Sequence, residues 1–300
     1  MSVRAATAPD PLQRARRRAA WAFLAPALLV LAAVAGWPLV RTVRFAFTDA
    51  TLSRLEAARW VGWENFAWLL ADGTWWRAVG NTLVFAGVSV AAELVLGLAI
   101  ALVLQRAFPG RGLLRAVVLI PWAIPTVVSG RMWAWMFHDV YGVVNDALLR
   151  LGLLAAPRAW LADPVTAMGA IIVTDVWKTT PFMAFLLLAG LQTIPPEVHE
   201  AARADGAGAW RTFWRVTLPL LRPALLVALV FRTLDALRAF DLIYVMTSNS
   251  PETATVSVYA RQQLIDFQEV GYGSAAAVLI FFLIAAVTAV YLTLLKVEAR

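Results

Sequence analysis

The sequence contains no cysteine among its 300 residues. Disulfides, cysteine nucleophiles and thiolate metal sites are therefore excluded. Histidine is nearly absent: His138 and His199 lie far apart, and neither sits in a metal-ligand spacing. Both read as interfacial or loop residues. Lysine occurs only at Lys178 and Lys296, and neither closes a G-x-x-x-x-G-K-[ST] run. No phosphate-cradling loop is present. The metalloprotease pattern H-E-x-x-H is missing too. Gly87-Val88-Ser89-Val90-Ala91 approaches G-x-S-x-G but lacks its last glycine and falls inside an apolar run. No catalytic centre is readable, so the chain is expected to be no enzyme by itself and to bind no cofactor and no metal. Any energy source must then lie on another chain.

Charge is also scarce. Only 15% of residues are charged and 61% are hydrophobic, against about 25% and about 45–50% in soluble domains. The mean hydropathy is +0.71. The apolar residues fall into six blocks, roughly Ala19–Val40, Thr82–Leu104, Leu113–Phe137, Ala167–Leu191, Ala224–Thr247 and Ser274–Leu295. A membrane span needs roughly 20 apolar residues at 1.5 Å rise each. Only helices and closed barrels satisfy the backbone in lipid, and these blocks are too long and too uniform for barrel strands. The expected fold is all-α, with six transmembrane helices.

Arginine sets the expected orientation. With a cytoplasmic N-terminus, the inner segments carry Arg4, Arg14, Arg16, Arg17, Arg18, Arg106, Arg111, Arg115, Arg203, Arg211, Arg215, Arg222, Lys296 and Arg300. The outer loops are longer, yet they hold only Arg41, Arg44, Arg54, Arg59, Arg77, Arg150, Arg158 and Arg261. The denser cationic side faces the cytoplasm, which puts both termini inside. The net charge of +7 is then a property of cytoplasmic loops rather than a nucleic-acid footprint. Residues 1–18 form a basic cytoplasmic segment, of which Met1–Pro11 reads as disordered, and residues 19–300 form the membrane domain. The first block has a basic lead and an A-x-A-like Ala33-Val34-Ala35. That site lies beyond the usual 15–30 residues of a signal peptide and the run is of span length, so the block is read as a retained span. Trp60, Trp63, Trp68, Trp75 and Trp76 suit an interfacial aromatic belt.

Residues 195–219, between the fourth and fifth blocks, are too polar to span. Pro195 and Pro196 open a short helix, with Glu197 and Glu200 near its positive end. Gly206 suits the left-handed turn that stops it. A second short amphipathic helix is expected from about Ala209 to Val216, with Trp210, Phe213 and Trp214 on an apolar face and Arg211 and Arg215 on a polar one. One reading is a hairpin lying on the membrane surface; the other is a docking element for a cytosolic partner.

Glu200-Ala201-Ala202, Asp205-Gly206-Ala207 and Leu218-Pro219 together resemble the EAA loop of binding-protein-dependent ABC importer permeases. Val61-Gly62-Trp63-Glu64-Asn65-Phe66 resembles the outer-loop motif of the maltose-type sugar permeases. So do Pro121, Pro125, Trp133, Phe137, Gly142 and Asn145, and the runs Asp175–Phe182 and Phe231–Asp235. The last two are most similar to the first permease subunit of trehalose/maltose importers. The resemblance covers nearly the whole chain. It implies a type I importer permease in the bacterial inner membrane, carrying a carbohydrate such as trehalose or maltose. It also implies a second permease, two ATPase subunits that hold ATP and magnesium, and an extracytoplasmic solute-binding protein. In that family the EAA loop is the coupling helix that enters a cleft in the ATPase, which assigns ATPase coupling to Glu200, Ala201, Ala202, Asp205, Gly206, Leu218 and Pro219.

The fifth block is unusual on physical grounds. Arg232, Asp235, Arg238 and Asp241 follow one another at spacings of three. Ionisable residues near the bilayer centre cost at least about 2.5–3.5 kcal/mol each, and alternating signs at i,i+3 let neighbours pair. The stripe is either a neutralised packing seam or the lining of a watery pathway. The pathway reading adds Trp177 and Lys178, with Asp175 nearby, and Tyr244 as a second aromatic face for a sugar ring. Glu93 and Arg131 are further buried-charge candidates or a helix-packing ion pair. Three rivals stay open: a permease for glycerol phosphate, a polyol or an oligosaccharide; a secondary transporter, which would predict an inverted repeat; and a membrane-embedded enzyme.

Overall fold

A computed structural model describes residues 11–294, and every described secondary element is helical apart from one isolated bridge between Thr48 and Trp60. Arg4, Lys296 and Arg300 lie outside the described residues, as does the expected disordered stretch up to residue 10. Pro11 already begins α1 (Pro11–Leu31). This helix runs through a π turn at Ala32–Gly36 into α2 (Trp37–Phe45), so Ala33-Val34-Ala35 sits inside one continuous helix. The apolar stretch Ala15–Phe45 buries none of its most hydrophobic window, as a helix facing lipid or another chain does. A short α3 (Glu64–Ala71) follows.

The centre of the molecule is the packing of α4 (Gly73–Gln105) on a later long helix. At 33 residues and about 1.5 Å per residue, α4 outruns a hydrocarbon core of about 30 Å. It begins nine residues before the expected second span. Asp72 caps its start by accepting a hydrogen bond from Thr74 N at 2.8 Å.

The expected third span is broken. α5 (Arg111–Ala123) and α6 (Thr126–Met136) meet at 90°. Pro125 removes a backbone donor and forces the residue before it out of the helical region; Ile124 is extended, at φ −73°, ψ 133°. Next come α7 (Val143–Arg150) and α8 (Pro164–Gln192), which Asp163 caps through Thr166 N at 3.0 Å. α8 crosses α4 closely at Gly97, where a β-carbon would lie 2.8 Å from Met183 Cγ and 3.1 Å from Ala184 N. Small residues let membrane helices approach in this way. Phe85, Ile171, Met183, Leu187 and Leu191 are fully buried around that seam.

The polar hairpin comprises α9 (Pro196–Ala204) and α10 (Ala209–Thr212), the latter continuing through a π turn at Phe213–Thr217 into α11 (Leu218–Leu237). α11 stops at Leu237, and α12 (Asp241–Thr247) begins after three non-helical residues. The expected fifth span is therefore also interrupted. α13 (Val256–Arg261) and α14 (Val270–Leu294) are the last helices of the described residues. Among the described residues, four helices are long and apolar enough to cross a membrane, or five if the bent α5–α6 pair is one span.

The end of the bundle opposite the hairpin is tied together by polar side chains. Asn65, buried, donates to the carbonyls of Ala46 and Thr48 at 3.0 and 2.8 Å. Asn145 accepts from Arg158 N and Trp160 Nε1 and donates to the carbonyls of Asp139 and Arg158. These two motif residues lock loops. Tyr259 donates to Asp72 at 2.6 Å. Burial pushes the Asp72 carboxyl up, but the hydrogen bonds from Tyr259 and Thr74 outweigh it and leave the carboxyl below its ordinary range. The backbone bond from Thr166 does the same for exposed Asp163.

Candidate functional site

Arg232 is 2% exposed, and it is the largest fully buried side chain in the described chain. Its guanidinium gathers carboxylates from three helices. Nε and Nη2 grip Glu93 of α4 at 2.5 and 2.9 Å. Nη2 also bonds Asp175 of α8. Nη1 reaches Asp235, one turn along α11, at 2.9 Å. The Thr179 hydroxyl lies 2.6 Å from both Glu93 Oε1 and the Asp175 carbonyl. A planar five-donor fork suits such multiple pairing in a way an ammonium does not. Removing one partner of a buried pair costs about 3–5 kcal/mol, so the cluster fixes α4, α8 and α11 relative to one another.

Lys178, one helical turn from Asp175, points to a different task. Its Nζ donates to the carbonyls of Ile124 at 2.6 Å and Trp122 at 3.4 Å. These are last-turn carbonyls of α5, left without intrahelical partners by the break. A lysine on α8 therefore caps a helix end on α5 and holds the 90° bend in place.

The broken ends of α5–α6 and α11–α12 border a cavity of about 660 Å³. Lys178, Arg232, Asp235, Arg238 and Asp241 all line it, together with Trp122 and Phe240. Asp235 faces both ways: it pairs with buried Arg232, yet its side chain is 69% exposed. The i,i+3 pairing expected along a single helix holds for Arg232 and Asp235 alone. Arg238 lies in the break and donates to the Leu234 carbonyl at 3.1 Å, and Asp241 opens α12.

Two expected pathway residues lie outside the cavity. Trp177 packs edge-on against Trp133 at 5.5 Å. Tyr244 stacks on Phe240 at 5.4 Å and carries the Arg261 guanidinium 4.6 Å above its ring. The aromatic residues that border the cavity are instead Trp122, beside the α5–α6 break, and Phe240, in the α11–α12 break. Arg131 is exposed on α6 and does not join Glu93. Sequence reasoning missed Trp122, Thr179 and Phe240. The signal for Trp122 was Pro125: a proline after an apolar helix leaves bare carbonyls that need a donor.

The hairpin has the opposite character. Gly206 sits at φ +76°, as expected. Gly206 N bonds the Arg203 carbonyl at 3.0 Å and Ala207 N bonds the Ala202 carbonyl at 2.9 Å, the Schellman pattern that ends a helix at a left-handed residue. The second helix is shorter than expected, four residues, because a π turn takes over at Phe213. Trp210 is 76% exposed and Trp214 is 50% exposed; the two rings meet edge-on at 5.6 Å. Glu200, Ala201 and Asp205 are exposed and Ala202 is half-buried, while Leu218 and Pro219 begin α11.

The chain matches the family model described as "Binding-protein-dependent transport system inner membrane component" over residues 93–297. It is 42% identical over 277 residues to the sulfoquinovosyl glycerol transport system permease protein SmoG of Agrobacterium fabrum, covering 92% of this chain and 89% of that one. It is 47% identical over 237 residues to the trehalose/maltose transport system permease protein MalF of Thermococcus litoralis, covering 77% and 78%. It is 40% identical over 285 residues to the trehalose transport system permease protein SugA of Mycobacterium tuberculosis, covering 95% and 91%. A chain from the crystal structure of a bacterial ABC transporter involved in the import of alginate superimposes with a TM-score of 0.83, at 23% identity, covering 97% of this chain and all of that one. At that identity the likeness is one of fold.

Proposed function

The chain belongs to the binding-protein-dependent transport system inner membrane component family, and from that premise we propose that it is the membrane permease subunit of an ATP-driven carbohydrate importer, moving a disaccharide of the trehalose or maltose kind. The observation that carries the reading is the cavity of about 660 Å³ where two broken helices meet inside the apolar bundle. Its size suits a small organic solute. Its charges supply hydrogen bonds to hydroxyls, and Trp122 and Phe240 supply apolar faces for a sugar ring. The names of relatives at 40–47% identity support the sugar class.

In this reading the chain is a multi-pass protein of the bacterial inner membrane with six spans and both termini cytoplasmic. Residues 1–18 are a basic cytoplasmic lead to a membrane domain of residues 19–300. The third and fifth spans are the broken pairs α5–α6 and α11–α12, and the cationic bias of the inner segments supports the orientation. A second permease completes the pathway, a solute-binding protein delivers the sugar outside, and two ATPase subunits dock inside. Residues 195–219 meet one ATPase through Glu200, Ala201, Ala202, Asp205 and Gly206, with Leu218 and Pro219 passing the movement into α11. The chain itself hydrolyses no ATP; ATP and magnesium bind the partner. Arg238, Asp241, Asp235 and Lys178 touch the solute from the cavity wall, Arg232 anchors that wall, and Trp177 and Tyr244 support it from behind. A second reading, a sulfoquinovosyl glycerol importer, is favoured by the 42% identity to SmoG.

The test is uptake of labelled trehalose, maltose and sulfoquinovosyl glycerol into vesicles carrying the purified complex, with ATP at the ATPase side and the binding protein on the other. The reading expects ATP-dependent uptake of a disaccharide, no ATPase activity from the chain purified alone, and weakened uptake in Asp241→Asn and Arg238→Gln complexes that still assemble. Uptake confined to sulfoquinovosyl glycerol selects the second reading, and uptake of neither sugar class rejects both.

A further inference from the structure

The outward face of the bundle carries a second concavity, unrelated to the solute cavity. It is a groove of about 270 Å³ between α4 and α5, lined by Ala99, Ile100, Val103, Leu104, Leu114 and Val118. The lining exposes no polar surface. At its mouth the chain changes character within one helical turn. Arg106 follows the end of α4, and Arg111 and Arg115 stand on the first turns of α5. Positions 111, 115 and 118 recur at i, i+4 and i+7, and 114 is the i+3 neighbour of 111, so these cations share a helix face with two of the groove's own residues. Arg115 reaches across to the groove's other wall and donates from Nη2 to the Leu104 carbonyl at 3.1 Å. Its Nε is buried with no hydrogen-bond partner among the described residues. The segment 105–120 contains no acidic residue, so nothing within it neutralises the three arginines.

We propose that this groove binds an anionic phospholipid, with one acyl chain along the groove and the phosphate on Arg106, Arg111 and Arg115. An apolar slot alone would take any acyl chain. Charge complementarity selects the headgroup, because a basic cluster at the membrane surface attracts anionic lipid. Arg111 and Arg115 stand on the first turns of α5, so the positive end of that helix dipole adds to their attraction for an anion. The inference goes beyond the transport reading and needs only that the chain spans a bilayer.

The assembled complex is reconstituted in phosphatidylcholine vesicles doped with a photoactivatable phosphatidylglycerol whose diazirine lies in one acyl chain. A second preparation uses the matching phosphatidylcholine probe. Phosphatidylglycerol is expected to label the peptides spanning 99–118 above every other lipid-facing helix, and the phosphatidylcholine probe is not. Arg111→Gln with Arg115→Gln should lower that labelling roughly twentyfold or more, at about fivefold per arginine. Val103→Trp fills the groove without altering charge and should abolish labelling of 99–118, so it carries the test where the arginine variant fails to assemble. Equal labelling by the two probes overturns the proposal, as does labelling unchanged by Val103→Trp. A benzophenone amino acid at position 103 that captures the second permease instead of lipid overturns it as well.

Discussion

The intramembrane cluster and the hairpin of residues 195–219 are built from the same residue types but are completed differently. In the cluster every charge finds its partner within the chain: Arg232 meets Glu93, Asp175 and Asp235, and Lys178 meets two carbonyls. In the hairpin, Glu197, Glu200, Asp205, Arg211 and Arg215 make no ion pair among the described residues, and Trp210 stands open. The difference follows from solvent. Away from water a buried unpaired charge costs at least about 2.5–3.5 kcal/mol, so the buried charges of the cluster are paired. In water an open charge costs little, so the hairpin's charges need no partner within the chain. Damage to the first region should therefore appear as instability, and damage to the second as lost coupling.

The largest expected effect is on the cluster. Arg232→Met strands Glu93 and Asp175 in the core and should cost about 3–5 kcal/mol, seen as loss of assembled complex or a sharply lowered Tm. Adding Glu93→Gln should recover part of that loss. If Arg232→Met leaves Tm unchanged, the cluster is not what holds α4, α8 and α11. Next comes Lys178→Met, which leaves the Ile124 carbonyl without its donor at about 1–3 kcal/mol. Uptake should fall more than Tm, because the bend at Pro125 shapes the cavity. Equal falls would make Lys178 only a stabilising cap. Smaller again is the response to acid. Asp72 titrates below its ordinary range, so its stabilising effect is complete above about pH 4 and is lost as pH falls through the depressed value. Asp72→Asn should flatten the acid limb of the stability curve. An unchanged limb would leave the Tyr259–Asp72 contact without weight.

Much of this division was legible in the sequence, and the failures have physical causes. The apolar blocks located the helices, because a bilayer tolerates little else. Gly206 announced its own turn, since only a residue without a β-carbon takes φ +76° without strain. The pairing of Arg232 with Asp235 followed from i,i+3 spacing. Glu93 and Asp175, 139 and 57 residues away, were invisible to a local rule and needed the packing of three helices. The stop at Leu237 was not readable either: no proline or glycine occurs from Leu234 to Asp241. That missing signal made four charges look like one stripe. Trp177 and Tyr244 were chosen by type, and type does not tell which face of a helix borders a cavity.

The most direct test of the division sets Gly206→Val beside the cavity variant Asp241→Asn in the purified, reconstituted complex, measuring Tm, ATPase retention and sugar uptake on each. A β-carbon at φ +76° adds about 1 kcal/mol or more of local strain and displaces α10. Gly206→Val should keep the Tm of the membrane domain, release the ATPase or leave its hydrolysis without import, and so fail in coupling alone. Asp241→Asn should keep the ATPase bound and raise the sugar KM. A Gly206→Val complex that holds its ATPase and imports at the wild-type rate would contradict the account.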